Sequence, residues 1–395
     1  MTGSHAPSLS IPGFVQLLTN PSDPSAAWRT HLGPPFLYWA IFVAMLVPAG
    51  ASAVLVRRVV NDLPRRRALD RPGIAACGDV TRAAGSRRLL RRGAMLRPSL
   101  VKPIVNDLGF QLGRSRGVAC YATVEDSTLI LGPPRSGKGL HLVIPAILDA
   151  PGPVVTTSTR PDNLTTTLTA RREKGPVAVF DPQHLTHGMP SVARWSPIRG
   201  CEDPHVAMVR AKALTTGAAR GTTDATFWQA SAEQAVRALL HAAALGGATP
   251  LDLYRWSMSA VTAGEAVDIL TSHPNAAAGW QHTLRSLTNA DPRQRDAVWA
   301  MVSIAFSSLA DPKVLEAVSP GPGEHLDPRQ FLTADGTVYL LGTSTGASAT
   351  AGLVGAFLED ILETARRLAA ACPGARLDPP LSVILDEAAN YPLPS

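Results

Sequence analysis

The sequence is poor in cysteine and gives it no pattern: Cys77, Cys120, Cys201 and Cys372 stand far apart, and none belongs to a C-x-x-C pair. That spacing supports neither a disulfide framework nor a zinc site. Histidine is equally scattered. Its nearest pair, His184 and His187, falls in a loop next to glycine and proline where a surface role outweighs ligation, so no metal is assigned to Cys or His. Charge is scarce too, with 17% charged residues against 45% hydrophobic and a mean hydropathy of +0.08. So apolar a balance is high for a soluble protein and directs attention to a membrane segment. What charge there is leans positive: the formal net charge of +6 and a pI near 9.4 favour polyanions, either nucleic acid or anionic lipid. The 395 residues leave room for more than one folding unit.

Charge is missing altogether from Phe36 to Val56. At about 1.5 Å per residue this run is long enough to cross a hydrocarbon core of roughly 30 Å. Pro48 and Gly50 are tolerated in a membrane helix, and Tyr38 with Trp39 suit its interfacial belt. A buried soluble helix would show a polar face, which this run lacks. A secretory signal could use Ala51-Ser52-Ala53 as a cleavage site, but the run is too long, starts too late and has only Arg29 as a cation before it. Arg57, Arg58, Arg65, Arg66 and Arg67 follow at once, so the positive-inside rule puts the C-terminal part in the cytoplasm, as a single-pass membrane protein. Residues 1–35 read as a poorly ordered external arm, 36–56 as the transmembrane helix and 57–110 as a basic membrane-proximal linker. The arginines continue through Arg71, Arg82, Arg87, Arg88, Arg91, Arg92 and Arg97. No aromatic residue stands among them to stack on bases, which favours anionic lipid over a DNA-guiding collar.

Residues 132–139, Gly-Pro-Pro-Arg-Ser-Gly-Lys-Gly, match the Walker pattern G-x-x-x-x-G-K-[ST] except at the last place, where Gly139 replaces a hydroxyl. The context fits: Ser127-Thr128-Leu129-Ile130-Leu131 is a β-prone run before the loop, and Leu140, Val143, Ile144, Ile147 and Leu148 recur at helical spacing after it, with Pro145 expected to kink or end that helix. Further strands are expected at Val154-Val155-Thr156-Thr157, Val177-Ala178-Val179-Phe180, Thr337-Val338-Tyr339-Leu340-Leu341 and Leu381-Ser382-Val383-Ile384-Leu385, each apolar or β-branched as in a covered parallel sheet. Helical patterns dominate between them, with Val236, Leu239, Leu240 and Ala243 on one amphipathic face and Val298, Met301, Val302, Ala305, Phe306 and Leu309 on another. The fold expected is therefore α/β, with a first core part over 111–204, an all-helical insertion over 205–310 and a second core part over 311–395.

The strand ending at Leu385 is followed by Asp386-Glu387, the second half of a nucleotide site: an Asp at a strand's carboxyl end to hold Mg²⁺ and a Glu to orient and polarise water. Gly342-Thr343-Ser344-Thr345-Gly346 also fits the nucleophile elbow G-x-S-x-G. An esterase places its histidine after that serine, and the last histidine here is His325, so the segment reads as a small polar turn.

Together, the membrane segment, the loop from Gly132 to Leu140 running into Val143-Ile144-Pro145, the helical insertion and Leu385-Asp386-Glu387-Ala388-Ala389-Asn390 resemble the type IV secretion coupling proteins, the TraG/TraD-like ATPases of conjugative DNA transfer. Thr159-Arg160-Pro161-Asp162-Asn163 and Val179-Phe180-Asp181-Pro182 resemble segments of actinobacterial members, and a Gly after the loop Lys is similar to what TraG-like members carry. The resemblance covers most of 110–395. It implies a RecA-like P-loop NTPase that forms a hexameric ring at the inner, cytoplasmic cell membrane and spends ATP to deliver DNA, a DNA–relaxase complex or protein to a secretion channel. It also implies that Gly132, Pro133, Pro134, Arg135, Ser136, Gly137, Lys138, Gly139 and Leu140 bind the nucleotide, with Lys138 on the β- and γ-phosphates, Asp386 on Mg²⁺ and Glu387 as the catalytic carboxylate. Such motors continue past this point with a sensor strand and an arginine for the neighbouring site, so the chain resembles a motor cut short, expected to bind nucleotide poorly and hydrolyse it hardly at all. Two further readings share these features: a non-catalytic remnant that anchors or assembles with full-length subunits, and an FtsK-class DNA translocase.

Overall fold

The computed structural model describes residues 11–28, 30, 34–69, 73–133, 135–186, 193–216, 225–342 and 350–391. The chain divides into two compact units, Met1–Asp79 and Val80–Ser395.

In the first unit the apolar run lies within one helix, Pro35–Leu69, which continues past Val56 through the first arginines. Its segment Pro35–Arg58 has a mean hydropathy of 2.2 and is long and apolar enough to cross a membrane. The poorly ordered arm is corrected in part, because Ile11–Thr19 and Pro24–Trp28 are helical. Leu17, Ala27 and Trp28 bury one another against Tyr38 and Trp39. The indole N–H of Trp28 donates to the Tyr38 hydroxyl at 3.0 Å, and that of Trp39 to the Pro21 carbonyl at 2.8 Å. Aromatic packing with satisfied N–H groups supplies an order that a Pro- and Ser-rich composition hides.

The second unit opens with the short helices Ser86–Arg91, Gly93–Leu96 and Val105–Leu108 and an antiparallel hairpin, β1 (Gly109–Ser115) and β2 (Val118–Thr123). Leu89, Leu96 and Leu108 are buried together with Val105, Tyr121 and Val124. Much of the expected linker is therefore folded, since its leucines have a hairpin to pack on. Two of its arginines serve that fold: Arg92 pairs with Glu125 at 3.4 Å, and Arg97 pairs with Asp378.

β3 (Val154–Ser158), β4 (Val177–Phe180), β5 (Thr337–Leu341) and β6 (Ser382–Leu385) form a four-stranded parallel sheet in the order β4-β5-β3-β6. Side chains alternate between its faces. Val155, Ala178, Phe180, Val338 and Leu340 join the main core with the helix Ala351–Ala370, while Val179, Tyr339 and Leu341 pack against Leu164 of the helix Asp162–Lys174. Between β4 and β5 run Pro204–Thr215, Ala225–Gly246, Pro250–Met258, Gly264–Ser272, Trp280–Thr288 and Pro292–Phe306. Pro312–Ala317 and Pro328–Thr333 carry the helices past residue 310. Asp203, Asp291, Asp311 and Asp327 each cap a helix whose next residue is proline. The carboxylate accepts from an otherwise unpaired N–H, and the proline has no N–H to leave unpaired.

The strand expected at Ser127–Leu131 is corrected. No strand forms there, and Leu129 and Leu131 are 83% and 86% exposed. β-propensity shows itself only where a neighbouring edge takes the hydrogen bonds, and among the described residues none runs along this segment.

Candidate nucleotide site

The acidic half of the site follows from sheet register. β3 and β6 pair in parallel from Val154↔Ser382 to Thr157↔Leu385, so two residues further on Thr159 comes to lie beside Glu387. The Thr159 hydroxyl donates to Glu387 Oε2 at 2.6 Å, and the Asn390 amide donates to the same oxygen at 3.1 Å. Asp386 is held in parallel fashion: Thr157 Oγ1 donates to its carbonyl at 3.1 Å, and Asn163 Nδ2 reaches its Oδ2 at 3.4 Å. Glu387 keeps a left-handed backbone, φ 54°, a conformation that costs free energy in a non-glycine residue and persists where the surroundings fix it. Behind the pair, the buried Tyr391 hydroxyl donates to the Gly342 carbonyl at 2.9 Å. Burial and the nearby Glu387 and Asp386 carboxylates push that phenol well above the usual tyrosine range.

The loop half is shaped locally. Gly137 has φ +84° and Arg135 φ +60°. A Cβ on Gly137 would meet the His141 ring at 2.8 Å in a left-handed backbone, so this position needs glycine, while one on Gly132 would meet the Ser136 hydroxyl at 2.9 Å. Gly139 faces open space. Helix begins at Lys138, runs as a π-turn over Gly139–Val143 and becomes α-helical over Ile144–Asp149. Pro145 stands at the start of the α-helical part, where its missing N–H does least harm, so the expected kink appears as the π-to-α change. Ser136 and Arg135 are exposed, as are Pro133 and Leu140, while Gly132, Gly137, Lys138 and Gly139 are half-buried. Pro134 lies outside the described residues, as do residues 343–349 with most of the G-x-S-x-G segment.

The helix Ile144–Asp149 leads through residues 150–153 directly into β3 and packs on the sheet, with Ile147 and Val143 beside Val154 and Ile384. It therefore runs opposite to the strands. Its C-terminal end meets the lead-in to β3, while β6 releases Asp386 and Glu387 at the sheet's carboxyl edge. At the opposite edge the end of this helix is joined to the start of β5 by Arg171, a fully buried guanidinium. It donates to the carbonyls of Ala150 at 3.1 Å and Gly152 at 2.8 Å and to Thr337 Oγ1 at 2.6 Å. Lys174 adds bonds to Leu148 and Ala150 carbonyls at 2.6 and 3.0 Å, capping the same helix end. Burial lowers the pKa of both cations.

Asp386 and Glu387 leave β6 at the sheet's carboxyl edge, and Lys138 stands at the start of the helix that leads into β3. Thr157, Thr159, Asn163 and Asn390 were not singled out from the sequence as parts of the site. Thr157 lies near the end of β3, and Thr159 and Asn163 follow it in the segment that resembles actinobacterial members, whose contact with the Asp-Glu strand the sequence alone does not show.

A comparison with curated proteins gave no match. Among solved structures, the chain is similar to the plasmid coupling protein TrwB in complex with the non-hydrolysable ATP analogue ADPNP, at 15% identity and a TM-score of 0.37, covering 61% of this chain and 57% of that one. It is also similar to the bacterial conjugative coupling protein TrwBdeltaN70 in an unbound monoclinic form, at 14% identity and a TM-score of 0.39, covering 78% and 64%. The chain therefore spans less than two thirds of the length of these structures. The profile of a protein family described as Type IV secretory system Conjugative DNA transfer matches residues 89–390. With the greater part of its length matched, the chain belongs to the type IV secretory system conjugative DNA transfer family.

Proposed function

We propose that this protein is a membrane-anchored, nucleotide-driven motor subunit that couples DNA, a DNA–relaxase complex or protein to a type IV secretion channel, working as a homo-hexamer in the inner membrane with its sheet domain in the cytoplasm. The observation that carries this reading is that a member of this family closes β6 with Asp386–Glu387, the Glu387 carboxylate held by Thr159 and Asn390, and carries the glycine loop Gly132–Gly139 at the start of the helix that leads into β3. The FtsK-class alternative gives way to the family to which the chain belongs.

The residues suit ATP with Mg²⁺. Gly132 and Gly137 stand where a Cβ would close the loop, and Gly139 opens on free space, which suits backbone approach to phosphate at a helix start. Lys138 supplies a compact positive charge for the β- and γ-phosphates. Asp386 would hold Mg²⁺, an ion that keeps most of its shell as water and phosphate oxygen and so needs few protein ligands. When bound, the ion would neutralise phosphate charge. Glu387 is held through Oε2 by Thr159 and Asn390, which aims Oε1 to accept a hydrogen bond from the attacking water.

The test is titration of the full chain in detergent with a fluorescent ATP analogue. Lys138→Ala is expected to weaken binding at least tenfold with an unchanged melting temperature. Equal affinity in the variant would remove the loop from the function. A chain that binds no nucleotide yet assembles with longer subunits would be the anchoring remnant instead.

A further inference from the structure

The helix Ile11–Thr19 turns its apolar residues the wrong way for a soluble arm. Leu17 is buried in the aromatic cluster, but Phe14, Val15 and Leu18 are 46%, 55% and 74% exposed. At about 100° per residue these three share one stripe of the helix, with the exposed Gln16 on the other side. Between Ile11 and Trp28 the only charged residue is Asp23, which accepts from the Ala26 N–H at 3.2 Å and so caps the helix Pro24–Trp28.

The position of this stripe is fixed by hydrogen bonds. Trp28 is tied to Tyr38 and Pro21 to Trp39, and the Phe14 ring meets Trp28 edge-on at 5.7 Å. Tyr38 and Trp39 lie in the first two turns of the helix Pro35–Leu69, where its apolar segment begins. Amphipathic rings at that place mark the boundary between headgroups and acyl chains. A segment pinned to them is held at the same depth, and an uncharged apolar stripe there has acyl chains as its nearest apolar medium.

We propose that residues 11–28 form an interfacial foot in the leaflet at the N-terminal end of the membrane helix, with Phe14, Val15 and Leu18 inserted among the lipid chains. The inference rests on the anchor reading above. The foot fixes the depth and rotation of the anchor, because indole and phenol groups tie it to one side of the helix.

The full chain is tested in vesicles of phosphatidylcholine with a quarter phosphatidylglycerol. An environment-sensitive fluorophore is placed at Leu18→Cys, Gln16→Cys or Met45→Cys, in a background with Cys77, Cys120 and Cys372 changed to Ser and the fully buried Cys201 kept. The probe at 18 is expected to emit to the blue, resist aqueous iodide and be quenched more by lipids spin-labelled near the headgroup than by those labelled deep in the chain. The probe at 45 should show the reverse depth order, and the probe at 16 should remain open to iodide. Iodide-accessible 18 with lipid-quenched 45 overturns the foot and leaves the anchor standing. Absence of lipid quenching at 45 overturns the anchor and the foot with it. Energy transfer between copies at 18 without lipid quenching makes the occupant a second chain and also overturns the proposal.

Discussion

The two halves of the candidate nucleotide site are built differently. Asp386 and Glu387 emerge from a strand paired along its length to β3, and polar groups of that neighbour meet both residues. The loop Gly132–Gly139 follows a segment that pairs with nothing among the described residues, and takes its shape from its own glycines and from the helix it starts. Sheet register thus positions the acidic half, whereas the loop half is positioned from behind, through the helix Ile144–Asp149 and the cations that hold its far end. Stability should accordingly respond strongly at the joint, moderately around the strand and hardly at all ahead of the loop.

The largest effect is expected at the joint itself. Arg171→Met removes the donor shared by the carbonyls of Ala150 and Gly152 and by Thr337 Oγ1. Ala150 keeps its bond from Lys174, but the Gly152 carbonyl and Thr337 Oγ1 lose the guanidinium, and at roughly 1–3 kcal/mol for each buried acceptor left without a donor the variant should lose about 3 kcal/mol of unfolding free energy. The shift in denaturant midpoint measures it. A loss below about 1 kcal/mol would mean that the Lys174 cap and apolar contact hold the helix without the guanidinium.

Next in size is the support of β6. Asp378 precedes that strand, pairs with Arg97 and accepts from the Ser99 N–H at 2.8 Å. Burial acts upward on its carboxyl, but the hydrogen bonds from Ser99 and Arg97 outweigh it and hold the pKa below the ordinary 3.8. A carboxylate depressed in the folded state contributes stability that is whole above the unfolded value and is lost as pH falls through the folded one. Asp378→Asn should therefore cost about 1–3 kcal/mol at neutral pH, and its difference from the parent chain should shrink once pH drops below 3.8. A difference that stays constant with pH would remove the charge from the account.

Within the site, Thr159→Val deletes the hydroxyl that holds Glu387 and should cost about 1 kcal/mol of stability. Because Thr159 touches the acidic half alone, affinity for an ATP analogue should stay within about twofold, while any hydrolysis falls by roughly tenfold, equivalent to about 1.4 kcal/mol. Thr159→Ser keeps the hydroxyl and should restore it. Lost nucleotide affinity in Thr159→Val would mean that the two halves are coupled more tightly than their separate supports suggest.

The difference between the halves also explains what the sequence made legible. β3 to β6 were readable because strands covered on both faces are continuously apolar, and an Asp-Glu after such a run has a defined place. The hairpin Gly109–Thr123 was not, since β1 carries glycine and polar residues and its register slips between Gln111 and Gly113. Thr159 and Asn163 stood in a segment that resembles family members, but their place beside the carboxylates was not legible, because they lie 228 and 223 residues from them and only the pairing of β3 with β6 brings them near. Apolar β-prone residues suggested a strand before the loop, but local preference gives only half of a strand. The other half is an edge to pair with.

The smallest effect tests that last point. If Ser127–Leu131 is extended and unpaired, Leu129 contributes little to the folded state, because a side chain 83% exposed loses almost no water-accessible area on folding. Leu129→Ser should then change the unfolding free energy by less than about 0.5 kcal/mol, as surface substitutions do. The same change at Ile147, which is fully buried beneath the loop's own helix, should cost about 3 kcal/mol through lost burial and a cavity. Measured side by side, the two variants compare the approach to the loop with the support behind it. A cost of about 2 kcal/mol or more at Leu129 would show that the segment is packed or paired in solution, and the glycine loop would then be held from both ends, by a strand before it as well as by the helix after it.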